Sequence, residues 1–419
     1  MKRLIISSLF FLVGFSAFAQ RCGHGVMASP EMKKRHEILQ RFIDNYNPGN
    51  SKNAREQEDI IRIPLVVHVI HNNISGDIGG EGNSNISDEQ IFSQIRVLNE
   101  DFRKMFGTRG YNEHPDGADM EIEFFLAQTG PDGAPSSGIN RVYSSDRTFD
   151  VFSDLERISG LSYWPSDKYL NVWVVTLAGG YLGYGEFPGG ELDGLDLVDS
   201  PEETDGIFID HEVFGDRTGT ASAGIYTYGR TLTHEVGHWF GLLHTWGDER
   251  CGTDYCEDTP QIQRENDSET CREIFSRCNG ISRRNMIENY MDYTPDSCMN
   301  IFTEDQKARV RAVLELSPRR RRMVLNSQFL LPSTDVTEFN VLSNPGSRSE
   351  LKFQVLLPDF QDFTIVSYNS LGREVARKAY LDYPSTVISA EELNLPPGMN
   401  IVTMQTAGEI YFKRIYLYE

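Results

Sequence analysis

The chain has 419 residues, with 61 acidic against 40 basic side chains and a formal net charge of −21. That length leaves room for two or three domains of about 100–200 residues each, and the acidic balance argues against nucleic acid or an anionic membrane surface as the main partner. Beyond the N-terminus no run reaches the roughly 18–20 apolar residues of a membrane span, so no stable membrane insertion is expected.

Met1-Lys2-Arg3 is a basic start, residues 4–18 are apolar, and Ala17-Phe18-Ala19 has the small-x-small form of a cleavage site. Residues 1–19 are therefore expected to be a removed signal peptide. Export through the periplasm to the medium or the cell surface follows, and it puts six cysteines under oxidising conditions in which bridges form. Gln20-Arg21 ahead of Cys22 does not fit a lipoprotein site. Residues 20–55 form a polar segment, too small to fold alone, with one helical stretch over 31–45.

A larger domain is expected over 56–325. Residues 61–70, with Pro64 near the start, read as a buried strand. Ser87 and Gln90 form a capping box ahead of a helix in which Ile91, Ile95, Leu98 and Phe102 repeat at helical spacing. Strands are expected over 121–127 and 169–176, the second centred on Trp173. This order predicts an α/β half-domain whose sheet backs a functional helix. Residues 179–190, rich in glycine and aromatics, are either an edge strand to which an extended peptide can add or a surface loop. His68, His71, His114 and His211 have no partner at metal spacing and are read as structural or surface residues.

Thr233 to His244 reads T-H-E-V-G-H-W-F-G-L-L-H. Residues four apart on a helix sit one above the other, so His234 and His238 can present ring nitrogens to one zinc ion about 2.0–2.1 Å away. Glu235 then lies beside the metal without binding it, where a general base belongs. Gly241 allows a left-handed helix end that turns His244 toward the same ion. Asn289-Tyr290-Met291-Asp292-Tyr293 has the form of a tight turn that places Met291 under such a site. Cys22, freed for close approach by Gly23 and Gly25, can fill the fourth zinc position as a thiolate lock; the alternatives are a bridge to Cys251 or a free thiol.

With these motifs, and with H-T-W-G-D at 244–248, D-Y-C-E-D-T-P at 254–260 and C-M-N-I-F-T at 298–303, the sequence resembles pappalysin-type metzincins. The resemblance covers much of 60–320. It implies a zinc endopeptidase in which His234, His238 and His244 bind zinc, Glu235 is base and acid, and Tyr293 helps stabilise the tetrahedral intermediate. It also implies disulfides Cys256–Cys278 and Cys271–Cys298, with Cys251 left over or standing in for Cys256. Asp248, Asp254, Asp258 and the carbonyl of Thr259 offer oxygen ligands for Ca²⁺, which relatives carry nearby, or are simply solvated. In arginine-selective relatives an aspartate precedes the last of these cysteines; here Ser297 holds that place and Asp296 stands one earlier. The expectation is broad specificity with residual tolerance for arginine, with Asp296 and Ser297 as the candidate pocket residues.

Thr303 and Gln306 cap a helix that Ser317-Pro318 ends. Arg319 to Arg322 read as a solvated run or a processing site. Over 334–419 short apolar strands alternate with turns, which predicts a β-sandwich. Ser343-Asn344-Pro345, Ser370-Leu371-Gly372-Arg373 and Leu395-Pro396-Pro397-Gly398 resemble the sorting domain of type IX secretion cargo, implying that machinery as a partner; an adhesive or carbohydrate-binding module is the other reading. The expected whole is a secreted zinc endopeptidase acting on protein or peptide substrates and made as a latent zymogen, the alternative being a catalytically silent metzincin-like adhesion protein.

Overall fold

The computed structural model describes residues 22–23, 30–45, 60–189, 191–192, 195–196, 201–330, 337–358 and 360–418. The expected signal peptide lies outside them. The first helix, α1, runs Pro30–Asn45. β1 (Ile61–His71) then starts the main sheet, α2 (Asp88–Phe102) crosses it, and β2 (Ile122–Leu126), β3 (Ile139–Tyr143), α3 (Leu155–Ser159), β4 (Leu170–Val175) and β5 (Gly183–Gly185) follow. β6 (Glu191–Leu192) pairs with β7 (Leu195–Asp196), and β8 (Gly206–Asp210) re-enters the main sheet.

The sheet order is β2-β1-β4-β8-β5, with β3 pairing along the second half of β1. Its strands are parallel except for β5, which lies antiparallel to β8 at the edge. β4 and β8 are buried along their whole length, as parallel strands covered on both faces must be. α2 covers one face with Ile91, Ile95, Leu98 and Phe102, all buried as their spacing requires. Only half of its expected capping box forms. The Ser87 hydroxyl accepts from Gln90 N at 3.2 Å, but the Gln90 amide instead donates to the carbonyls of His211 and Phe214 at 2.9 and 2.7 Å, because those buried loop carbonyls have no strand partner to serve them.

α4 (Arg230–Trp239) packs beneath this sheet, followed by the hairpin β9 (Phe275–Cys278) and β10 (Ile281–Arg284) and by α5 (Glu304–Leu316), which carries the complete Thr303–Gln306 capping box. Ser317-Pro318 ends α5 as expected, and Pro318 also starts a further helix, α6 (Pro318–Leu330), as suits a residue whose missing N–H costs nothing in a first turn. The arginine run is solvated only in part: Arg321 and Arg322 are exposed, whereas Arg320 is buried, and it and Arg319 both pair with Asp205.

One disulfide differs from expectation. Cys251, whose Cα lies 5.7 Å from that of Cys278, forms the bridge, while Cys256 is a free, buried thiol; Cys271–Cys298 forms as expected. The backbone of Cys256 is turned inward by its N–H donating to Asp254 Oδ1 at 3.2 Å. His68 is buried and held by Ser162 and Asn171, and burial lowers its pKa to about 4.

Among the described residues, seven strands make the C-terminal region: β11 (Glu338–Leu342), β12 (Lys352–Leu356), β13 (Gln361–Asn369), β14 (Glu374–Tyr383), β15 (Thr386–Ser389), β16 (Gly398–Gln405) and β17 (Ile410–Leu417). They form two antiparallel sheets, β11-β12-β15 and β14-β13-β16-β17, around a core that includes Phe339, Phe353, Phe363, Val402 and Ile415. The region rests on α2: Tyr383 donates to Asp88 at 3.2 Å and meets the Phe92 ring edge-on at 4.4 Å.

Candidate active site

α4 begins after Gly229, a residue at φ 79° that has no side chain with which to cap the helix. Asp296 supplies the cap from a distance, its Oδ2 accepting from Tyr228 N and Arg230 N at 3.0 and 3.1 Å. The negative carboxylate suits the positive end of the helix. Asp296 is therefore buried and engaged as a helix cap; Ser297 is exposed, its hydroxyl 3.8 Å from Cys271 Sγ.

His234 and His238 stack along α4 as their spacing requires, and Gly241, at φ 87°, turns the chain so that His244 joins them. The Nε2 atoms of His234 and His244 each lie 3.1 Å from Nε2 of His238. The other ring nitrogens face acceptors only: His234 Nδ1 the carbonyl of Tyr290 at 2.7 Å, His238 Nδ1 that of Leu242 at 2.9 Å, His244 Nδ1 the Asp248 carboxylate at 2.5 Å. Each Nδ1 therefore carries the proton, and three bare Nε2 lone pairs converge. Such a set repels itself unless a cation sits between, so the residues fit a zinc ion with oxygen partners fixing every ring. Cys22 Sγ belongs to the same group, all four ligand atoms lying within 4.8 Å of one another.

Glu235 is fully buried one residue along, its Oε2 3.4 Å from Cys22 Sγ. β5 is the edge strand anticipated within 179–190, and its glycines are steric necessities. A Cβ on Gly183 would stand 2.8 Å from Glu235 Cγ, and one on Gly185 would stand 2.3 Å from the Glu235 carbonyl oxygen. Cys22 pairs with this edge in parallel, Gly23 N donating to Gly183 O at 3.0 Å. Met291 is buried beneath α4, where a Cβ on Gly237 would come within 2.4 Å of its sulfur. The glycine inside the zinc string is thus matched to the methionine turn, a pairing that residue spacing did not reveal. Tyr293 stands with its ring 5.1 Å from His244 and 4.8 Å from Trp246, and Trp246 stacks on His244 at 4.2 Å; the role of Trp246 also escaped the sequence reading.

Of the four candidate calcium residues only Asp254 and Thr259 touch, and the three aspartates do not form one cluster among the described residues. Asp248 holds His244, Asp254 accepts from the Thr259 hydroxyl at 2.8 Å, and Asp258 accepts from the Thr303 hydroxyl at 2.7 Å and from Asp305 N at 2.8 Å. Burial raises the Asp254 carboxyl to about 7. Among the described residues, the one convergent group of three or more ligating side chains is that of Cys22 and the histidines.

Two helix histidines and a third from the turn that follows, with an adjoining glutamate, set under the edge of an α/β sheet and over a methionine turn, define a metalloendopeptidase. Residues 218–315 match the family described as pregnancy-associated plasma protein-A, and the chain belongs to this pappalysin family. It is 32% identical over 254 residues to extracellular metalloprotease 1 of Coccidioides posadasii, covering 60% of this chain and 76% of that protein. An extracellular metalloprotease of Colletotrichum graminicola is 31% identical over 316 residues, 74% of this chain and 95% of the relative. Among solved structures, promirolysin of Tannerella forsythia with a glutamate-to-alanine substitution matches at 34% identity and TM-score 0.62, covering 74% of this chain and 99% of its own. Mature mirolysin in complex with a cleaved peptide matches at 37% identity and TM-score 0.57, covering 65% and 99%. The protein is a secreted zinc endopeptidase made as a zymogen. Nothing in the fold or the relatives favours a silent adhesion protein.

Proposed function

We propose that this chain is a secreted bacterial precursor in which residues 20–55 keep a zinc endopeptidase latent through Cys22, and in which residues 334–419 are a sorting domain read by type IX secretion machinery. The observation that carries the lock is the position of Cys22 Sγ, buried among the three Nε2 atoms and against Glu235. The structural match also shrinks from 74% to 65% of this chain when the mature form replaces the pro form, a difference the length of a short pro-segment. His234, His238 and His244 hold zinc, which when bound polarises a carbonyl and lowers the pKa of a water to about 7. Glu235 takes the proton of the attacking water and passes it to the leaving amine, in a site whose burial strengthens that exchange. The Tyr293 hydroxyl, on a ring fixed against His244 and Trp246, faces the developing oxyanion. The β5 edge, which Cys22 occupies in the precursor, receives the substrate backbone. Calcium does not enter this reading, because Asp248, Asp254 and Asp258 each serve a different protein donor. A signal peptide over 1–19 and passage through the periplasm complete the route of export.

Incubating the precursor and its Cys22→Ala variant with a denatured protein, with and without chelator, tests the lock. The wild-type precursor should be silent and the variant active or early-maturing, with activity abolished by the chelator. A Cys22→Ala precursor as silent as wild type would place latency elsewhere. Deleting 334–419 should leave activity in vitro and stop release by the native host.

A further inference from the structure

α1 lies across a strip of the catalytic domain. Leu39 is seated in an apolar cluster with Phe187, Leu243 and Val313, against which Ile43 also packs. Lys33 donates to both carboxylate oxygens of Glu249 at 3.0 and 2.9 Å, and two turns later Gln40 accepts from the buried Arg309 guanidinium at 2.6 Å. His36 sets its ring 4.8 Å from that of Phe187. Residues 33, 36, 40 and 43 are three or four apart and so share one helix face. The strip adjoins the metal ligands: Leu243 precedes His244, and Glu249 follows the Asp248 that accepts from His244. Only residues 24–29 separate the Cys22–Gly23 pairing from α1, so a single chain reaches both places.

Removal of the pro-segment uncovers this strip. We propose that in the mature enzyme it is an exosite for protein substrates that carry an amphipathic helix a short connector away from the cleaved bond. A lysine or arginine of that helix faces Glu249, and an apolar residue six positions on fills the place of Leu39. The inference rests on reading residues 20–55 as the pro-segment. Its physical basis is that α1 is a weak, tethered occupant. The Lys33 and Glu249 side chains are 58% and 55% exposed, and such a surface pair contributes little. The apolar contact is short, made by Ile38, Leu39 and Ile43 within two turns of helix. A helix held this lightly stays in place by linkage, through effective concentration, and departs once cut. A substrate helix docked the same way raises the local concentration of its own scissile bond and leaves with the product.

The test uses purified mature enzyme and two substrates, a short cleavable peptide and the same peptide joined, at either end in turn, by a six-residue flexible connector to the sequence of residues 30–45. The fused substrate should have the lower KM at unchanged kcat. Free peptide 30–45, which lacks Cys22, should raise the KM of the fused substrate without affecting the short one. Glu249→Lys should lower kcat/KM for the fused substrate about fivefold and spare the short peptide, with Lys33→Glu in the helix restoring the loss. Leu39→Asp in the helix should cost at least about tenfold. Equal kcat/KM for native and scrambled helices would overturn the exosite, as would equal inhibition of both substrates by peptide 30–45, which would put the helix in the cleft itself. Failure to cleave either substrate would count against the peptidase reading instead, and direct binding of peptide 30–45, followed by fluorescence anisotropy, would still decide the exosite.

Discussion

Both ends of α4 are anchored by buried arginine–aspartate contacts, yet the two anchors are built differently. At the N-terminal end Asp101 meets one guanidinium, Arg230 at 3.0 Å, and accepts from the Thr233 hydroxyl at 2.8 Å. At the C-terminal end Asp205 meets two, Arg319 at 2.8 Å and Arg320 at 2.6 Å, and accepts from the Trp239 indole at 2.9 Å. Burial pushes the Asp101 carboxyl up, and Arg230 offsets only part of that. Burial acts the same way on Asp205, but its two arginines outweigh it and hold that carboxyl below the ordinary range. The N-terminal anchor also touches the chemistry. Arg230 opens the helix that carries His234, and Tyr290, whose carbonyl accepts from His234 Nδ1, is buried beside Asp101. The C-terminal anchor reaches Trp239, whose carbonyl accepts from Arg320 at 3.1 Å, and holds the helix from outside the ligand set.

Breaking the N-terminal anchor should therefore have the larger effect. Arg230→Met leaves Asp101 buried without its cation and is expected to cost about 3–5 kcal/mol. It should also weaken zinc binding, read by metal titration beside denaturant unfolding. Arg320→Met leaves Asp205 paired with Arg319 and should cost less, about 2 kcal/mol, with zinc affinity unchanged. Equal losses of zinc affinity in the two variants would erase the distinction between the ends.

The smallest effects concern pH. The folded pKa of Asp205 lies below its unfolded value, so its contribution is present above about pH 4 and is lost as pH falls through the folded value. The folded pKa of Asp101 lies above its unfolded value, so the native state holds that proton more tightly and stability declines as pH rises from about 4 through the folded value. Asp205→Asn should flatten the acid side of a stability profile, and Asp101→Asn should flatten the decline above it. Urea midpoints between pH 3 and pH 8 would show slopes of the same sign for both if the account of the two anchors is wrong.

The ligand string is legible because helix geometry alone relates His234, His238 and the turn at Gly241, and because the methionine turn is itself a local motif. What holds the string in place is not local. Asp101 and Asp205 meet their arginines across more than a hundred residues of chain, and no periodicity announces such a partner. Gly183, Gly185 and Gly237 look like loop or helix glycines until the atoms they must clear are known. The half-formed box at Ser87 has the same cause: the spacing is right, but buried carbonyls elsewhere in the fold compete for the Gln90 amide. Cys251 and Cys256 stand in one short loop, and their distances from Cys278 in the sequence do not separate them. Asp248 was legible as an oxygen ligand, but its partner is the ring of the third histidine.

Latency requires that Cys22 and the three histidines form one metal site in the precursor. Zinc K-edge absorption spectroscopy of the intact precursor tests this directly. It should show one sulfur and three nitrogen donors, and the same protein after removal of the pro-segment should show nitrogen and oxygen donors alone. A precursor whose zinc has no sulfur neighbour would contradict it.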